Sequence, residues 1–172
     1  MFKEINTLKP FLEQPNREYH VRELARILKI NPATASKKLK NFTRQHLLKH
    51  RKERMLDLYK ANTESPIYHD LKIYYTISKI RQSGLIESLN EQYHKPTIIL
   101  FGSASKGWDT EASDIDLVVI SENKEEFSKQ KEFVKRLGKE LQIFVVGELK
   151  ELKNKHLIQN VLNGITLQGE IR

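Results

Sequence analysis

Residues 97–120 have the sequence TIILFGSASKGWDTEASDIDLVVI, and the predicted fold of the second half of the chain follows from it. Its first five residues form a β-branched and apolar run that stops at Gly102-Ser103, which predicts a strand followed by a small-residue turn. Ten residues separate Ser103 from Asp114, and Asp114-Ile115-Asp116 opens a second apolar run that ends at Ile120. The stretch therefore predicts two strands, with a glycine turn after the first and two carboxylates at the mouth of the second.

The two aspartates are candidate metal ligands. Residues i and i+2 of a strand face the same way, so Asp114 and Asp116 project together, about 7 Å apart at their Cα atoms. Two carboxylates so placed raise each other's pKa unless a cation lies between them, and oxygen ligands suit Mg²⁺ or Mn²⁺. Opposite them, Gly102 permits close backbone approach, Ser103 and the following amides can hold phosphate oxygens, and Lys106 can neutralise them. The alternative is that both aspartates are ordinary strand-end residues.

The order of strand, Gly-Ser turn, ten-residue gap, paired acids and second strand resembles the nucleotidyltransferases of the DNA polymerase beta superfamily, in particular the minimal nucleotidyltransferases of bacteria and archaea. The resemblance covers residues 97–146. It implies that Gly102 and Ser103 bind the triphosphate and that Asp114 and Asp116 are catalytic ligands of two Mg²⁺ ions. A hydroxyl would then attack the α-phosphate of ATP or another NTP, and pyrophosphate would leave.

The sequence departs from that family where a third carboxylate is expected on a later strand. The corresponding run is KELQIFVV at 139–146, and the expected acid falls on Gln142. Glu140 lies two residues earlier on the same strand face and substitutes only if the strand begins there. Loss of a general base costs about 10² to 10⁴ in rate. The sequence thus leaves open a slow enzyme or a nucleotide-binding protein without turnover.

Positive charge is concentrated in the first third of the chain. Residues 1–64 hold 15 Lys and Arg against 7 Asp and Glu, an excess of 8, whereas residues 65–172 hold 15 of each kind. This asymmetry predicts a polyanion-binding module joined to an electrostatically balanced one.

Three short helical patterns and a hairpin pattern occupy that basic third. Helices are predicted over 2–12, over 21–28 and from Asn31, an N-cap, to Leu47. Strands are predicted over 47–50 and 55–59. This arrangement resembles the winged helix-turn-helix domain, which implies double-stranded DNA as a partner. With Ala35, Leu39 and Phe42 turned inward, the resemblance implies DNA contact by side chains of the recognition helix and the wing: Thr34, Ser36, Lys37, Lys38, Asn41, Arg51, Lys52 and Arg54. The alternative is a protein-docking module whose lysines are merely solvated.

The predicted fold class is α+β, with a winged helix-turn-helix domain at 1–64, a connecting helix at 65–94 and a small mixed-sheet nucleotidyltransferase domain at 95–172. The connecting helix has two apolar stripes, which suit packing between the two domains or a homodimer. Absence of cysteine excludes disulfides and thiolate zinc sites, and no 18-residue apolar run occurs, so we expect a cytoplasmic protein without a membrane span.

Three functions remain open at this stage. The first is a DNA-binding nucleotidyltransferase; related minimal nucleotidyltransferases often act as antitoxins that transfer AMP to a toxin, so the resemblance makes a protein hydroxyl one acceptor. The second is a DNA-binding transcriptional regulator that senses a nucleotide without chemistry. The third is an interaction module assembled through the central helix.

Overall fold

The computed structural model of the chain describes the backbone of residues 2–170 and the side chains of residues 5–170. The helices are α1 (Phe2–Glu13), α2 (Val21–Leu28), α3 (Pro32–Arg44), α4 (Pro66–Gln82), α5 (Leu85–Tyr93), α6 (Gln130–Leu137) and α7 (Lys155–Leu162). The strands are β1 (Tyr19–His20), β2 (Leu48–Glu53), β3 (Leu56–Ala61), β4 (Thr97–Phe101), β5 (Ile115–Ile120), β6 (Leu141–Val146) and β7 (Ile165–Gln168). Short 3₁₀ turns occupy Ala104–Lys106 and Leu149–Leu152. The predicted α+β fold class is confirmed.

The chain divides into two compact units, and the boundary falls between Lys72 and Ile73, inside α4. That boundary lies within the segment 65–94 predicted to connect the two domains. Within residues 2–170, every helix is too short or too polar to serve as a membrane span.

The first unit combines three helices with a three-stranded antiparallel sheet in the order β1-β3-β2. Its core contains large side chains from α1, α2, α3 and the sheet, among them Phe11, Leu24, Leu39, Phe42 and Tyr59. Helix α2 ends at Lys29 in the left-handed region, and the Asn31 side chain accepts a hydrogen bond from the Ala33 amide to begin α3. These caps form the tight turn between two helices that the sequence predicted.

Helix α3 is shorter than predicted. It ends at Arg44, and the chain reverses at His46, whose φ is +58°. The Leu47 amide then donates to the Phe42 carbonyl, which buries Leu47 under the helix end and directs the chain into β2. The prediction that the helix continues to Leu47 was wrong. Leu47 is buried, as its apolar side chain suggested, but the turn after α3 buries it and not the helix itself.

The second unit contains a mixed sheet in the order β6-β5-β4-β7. Strand β4 runs antiparallel to β5 and β7, while β5 and β6 are parallel. One face of this sheet, with Leu100 and Leu117, packs against α5, α6 and the end of α4. The opposite face, with Ile99 and Val118, packs against Val161 of α7.

Helix α6 begins at Gln130, after a turn. Before it, the Asn123 amide donates to Ser121 Oγ and the Glu125 amide donates to Asn123 Oδ1. Such side-chain bonds to nearby amides stabilise turns in competition with helix. The charged residues 124–126 therefore lie in an exposed connection before the helix.

Candidate functional site

The Gly102-Ser103 turn lies directly against Asp116. Gly102 has φ +71°, and a Cβ built on it would overlap Asp116 Oδ2. Phe101, the last residue of β4, is the antiparallel partner of Asp116 in β5. A glycine is required here both by the left-handed backbone and by the space that the carboxylate occupies. The turn and the carboxylate that the sequence predicted to face each other are thus neighbours.

Backbone hydrogen bonds fix the loop after Gly102. The Ser103 carbonyl accepts from the amides of Lys106 and Trp108, at 3.1 and 3.0 Å, and Ser105 Oγ donates to the Gly102 carbonyl at 2.9 Å. Within residues 5–170, the half-buried Ser103 hydroxyl has no hydrogen-bond partner. Ser103 is therefore available to a ligand on a loop whose shape is already set.

Asp114 and Asp116 differ in their environments. Asp114 is exposed one residue before β5, whereas Asp116 is half-buried within the strand. Burial first, and then the negative charge of Asp114, raise the pKa of the Asp116 carboxyl above its usual value. A cation near both carboxylates would relieve this cost, so their oxygens fit a hard divalent cation such as Mg²⁺.

Gln142 occupies the strand position beside Asp116. The parallel register pairs Asp116 with Gln142 across β5 and β6, and Gln142 is exposed. Glu140 precedes β6, where its carbonyl accepts from the Ile115 amide at 2.9 Å. In the part of the chain that the structure describes, no three His, Cys, Asp or Glu side chains are close enough to hold a metal. Among the described residues, Glu140 thus forms no three-carboxylate cluster with Asp114 and Asp116.

Lys106 is partly buried, and its ammonium lies 5.2 Å from the centre of the Trp108 ring. Trp108 itself is exposed, at 62%. A cation over an aromatic face is attracted by the ring, so Trp108 limits the positions that the Lys106 side chain adopts beside the turn.

A buried ion pair braces the loop that leads to Asp114, and the sequence analysis missed it. Lys139 Nζ lies 2.6 Å from Asp109 Oδ2 and donates to the Thr110 carbonyl at 2.7 Å. The side chains of Lys139 and Asp109 are only 14% and 2% exposed. The pair joins the loop to the residues just before β6. Because Asp109 and Lys139 are 30 residues apart, no sequence spacing predicted their contact.

The basic residues of the first unit do not form one uniform surface. Of the residues predicted to contact DNA on α3, Thr34 and Lys37 are exposed, while Ser36, Lys38 and Asn41 are partly buried. On the hairpin, Arg51, Lys52 and Arg54 are all exposed. Two further exposed basic residues of α3, Lys40 and Arg44, were missed, although their spacing from Lys37 could have revealed them.

Comparison with known proteins identifies the second unit more closely. Residues 82–165 match the family model of a nucleotidyltransferase domain, which confirms the predicted domain in the C-terminal part of the chain. No curated protein sequence gives a significant match to the chain.

Two solved structures resemble part of the fold. One is a toxin–antitoxin structure with AMP-PNP, at 24% identity and a TM-score of 0.43, covering 55% of this chain and 73% of the other. The second is a possible transcriptional regulator from Methanosarcina mazei Go1, at 20% identity and a TM-score of 0.37, covering 53% and 78%. At these values neither structure assigns an activity to this chain.

Proposed function

We propose that the chain binds a nucleoside triphosphate at the Gly102-Ser103 turn and transfers its nucleotidyl group, AMP when the donor is ATP, to a hydroxyl acceptor. The single observation that supports this most is the close packing of Gly102 on Asp116 at the end of β4 and β5. It brings the turn proposed to bind phosphate against Asp116, within a domain matched by a nucleotidyltransferase model.

The residues of the site have separate roles in this proposal. Asp114 and Asp116 would hold the divalent cation, and Ser103 and the amides beyond it would bind phosphate oxygens. Lys106 would neutralise phosphate charge. When bound, Mg²⁺ or Mn²⁺ would stabilise the attacking and leaving oxygens. Gln142 can orient the attacking hydroxyl through its amide but cannot accept the hydroxyl proton, so we expect slow turnover.

The first unit is proposed to be a winged helix-turn-helix domain that binds double-stranded DNA. The turn between α2 and α3, the β2–β3 hairpin and the excess of 8 positive charges in residues 1–64 support this. In this proposal, DNA binding by the first unit would bring the second unit to DNA.

Two further partners remain proposals. The family resemblance suggests a protein hydroxyl, such as one on a toxin, as the acceptor. A homodimer through α4 is supported by the exposure of Ile67, which is 55% accessible on that helix. Size-exclusion chromatography of the full chain with light scattering would test the homodimer: a dimeric mass supports it and a monomeric mass contradicts it.

Incubation of the full chain with labelled ATP, Mg²⁺ and lysate tests the transferase proposal. We expect label in an acceptor and release of pyrophosphate, both abolished by Asp114→Ala combined with Asp116→Ala. Lys150→Ala is a matched control, because Lys150 is exposed in the same unit and outside the site. Transfer that persists in the double variant would contradict the proposal.

A second candidate is a nucleotide-sensing regulator that performs no transfer. Gln142 favours it, because the position beside Asp116 carries an amide where the family resemblance expects a carboxylate. This candidate predicts ATP binding without pyrophosphate release and a duplex affinity that changes when ATP is added. ATP binding that leaves the duplex affinity unchanged would contradict it.

A further inference from the structure

Three basic residues form a single stripe on the outer face of α3. Ala35, Leu39 and Phe42 are buried, so the opposite face of the helix is directed to solvent. Three residues at spacings of three and four lie on that face and are exposed: Lys37, Lys40 and Arg44. None of the three forms an ion pair with another side chain of residues 5–170.

Lys38 does not belong to this stripe. Its ammonium donates to the Thr7 hydroxyl of α1 at 3.1 Å, and the residue is partly buried. Residue 38 adjoins the buried face of α3, so its side chain is used within the unit.

Arg51 is held by two carboxylates. Its Nε and Nη2 donate to the two oxygens of Glu18 at 2.7 and 2.6 Å, and its Nη1 lies 2.7 Å from Glu53 Oε2. The hydrogen bonds from Arg51 lower the pKa of Glu18 below its usual value, so Glu18 is ionised near neutral pH. Each of the three guanidinium nitrogens of Arg51 therefore already contacts a carboxylate oxygen.

The α3 stripe continues toward the hairpin. The hydrogen bond from His50 is the main cause that lowers the pKa of Asp57 in β3, and the charges of Lys52 and Lys40 add to it. Lys52 is the β2 partner of Asp57, and the charge of Lys40 on α3 also acts on this carboxylate.

We propose that DNA phosphates are contacted by Lys37, Lys40 and Arg44, and that Glu18 and Glu53 withhold Arg51 from this contact. The assignment rests on the proposed DNA binding of the first unit. Duplex DNA is the partner because a stripe of separated, unpaired cations on a helix matches a regular row of phosphates, and each neutralised phosphate releases counterions.

The experiment measures the affinity of the full chain for a labelled duplex by fluorescence anisotropy between about 50 and 200 mM salt. Each lost phosphate contact lowers the slope of log affinity against log salt by about 0.9, so the Lys37→Gln, Lys40→Gln, Arg44→Gln triple variant loses about 2.7. Arg51→Gln removes one positive charge, as does any single substitution in the α3 stripe. It should leave the slope of log affinity against log salt unchanged. Lys9→Gln, on α1, is a control of equal charge, and circular dichroism verifies folding of each variant.

A combined Glu18→Gln and Glu53→Gln variant should bind the duplex more tightly, with a steeper salt dependence, because Arg51 is then released. The assignment is overturned, with DNA binding intact, if Arg51→Gln reduces the salt dependence of affinity as much as Lys40→Gln does. It is also overturned if the combined Glu18→Gln and Glu53→Gln variant binds the duplex as the unaltered chain does. If the unaltered chain shows no salt-dependent binding, both the assignment and the proposed DNA binding fail.

Discussion

Replacement of Gln142 by aspartate tests the proposed chemistry at a single position. Gln142 is the β6 partner of Asp116, and neighbouring strands are about 4.8 Å apart, so a carboxylate there would lie beside Asp116. We expect Gln142→Asp to increase the rate of nucleotidyl transfer by about 10² to 10⁴, because the site gains a group that accepts the proton of the attacking hydroxyl. This range corresponds to about 3 to 5 kcal/mol of transition-state stabilisation.

Gln142→Asp should also change the stability of the chain in the absence of a divalent cation. Two carboxylates about 5 Å apart repel by about 1 to 3 kcal/mol at effective dielectric constants between 80 and 20. Since Asp116 is already hard to ionise, Gln142→Asp should lower the free energy of unfolding without Mg²⁺ and recover stability when Mg²⁺ is added.

The assay compares pyrophosphate release and labelled transfer from ATP in the unaltered chain, in Gln142→Asp and in Gln142→Asn. Asparagine matches aspartate in size but carries no charge, so it separates the effect of the carboxylate from that of a shorter side chain. If Gln142→Asp binds ATP with unchanged affinity but reacts no faster than Gln142→Asn, the role assigned to this position is refuted.

Three other substitutions test the site. Gly102→Ala should lower the free energy of unfolding in urea by about 2 to 3 kcal/mol, and Gly138→Ala by about 1 kcal/mol. Both glycines have positive φ, but only at Gly102 does the added Cβ meet Asp116. Equal losses in the two variants would contradict the packing described. Asp116→Asn should stabilise the metal-free chain at pH 7, because the raised pKa of Asp116 in the folded chain makes stability fall as pH rises from the ordinary aspartate pKa to that raised value. The gain should vanish below the ordinary aspartate pKa of about 4. A gain that persists in acid would refute this cause. Lys139→Met should cost about 3 kcal/mol of unfolding free energy by leaving the Asp109 charge without this partner, with partial recovery in Lys139→Arg; no loss would show that the pair does not brace the loop.

Local sequence patterns predicted most of the fold. Apolar periodicity and cap residues located α2 and the start of α3, whereas the single connecting helix predicted at 65–94 is two helices, α4 and α5, separated at Ser83-Gly84. The strand and turn pattern around Gly102 also predicted which elements bring the turn and Asp116 together. These features depend on residues close in sequence, and such interactions are the ones that pattern reasoning detects.

The parts that the sequence did not reveal depend on contacts between distant residues. Lys139 pairs with Asp109 across 30 residues, and Arg51 pairs with Glu18 across 33. Lys38 was predicted to face solvent because helical spacing alone does not show that Thr7 of α1 is within reach of its ammonium. Charge and spacing predict that a residue is basic and near a surface, but not which carboxylate or hydroxyl it contacts.

The most direct measurement of the central claim is calorimetric titration of ATP with Mg²⁺ into the full chain and into its combined Asp114→Asn and Asp116→Asn variant. We predict one binding site per chain that requires Mg²⁺ and is lost in the variant. Absence of binding to the unaltered chain, or equal affinity in both proteins, would contradict it.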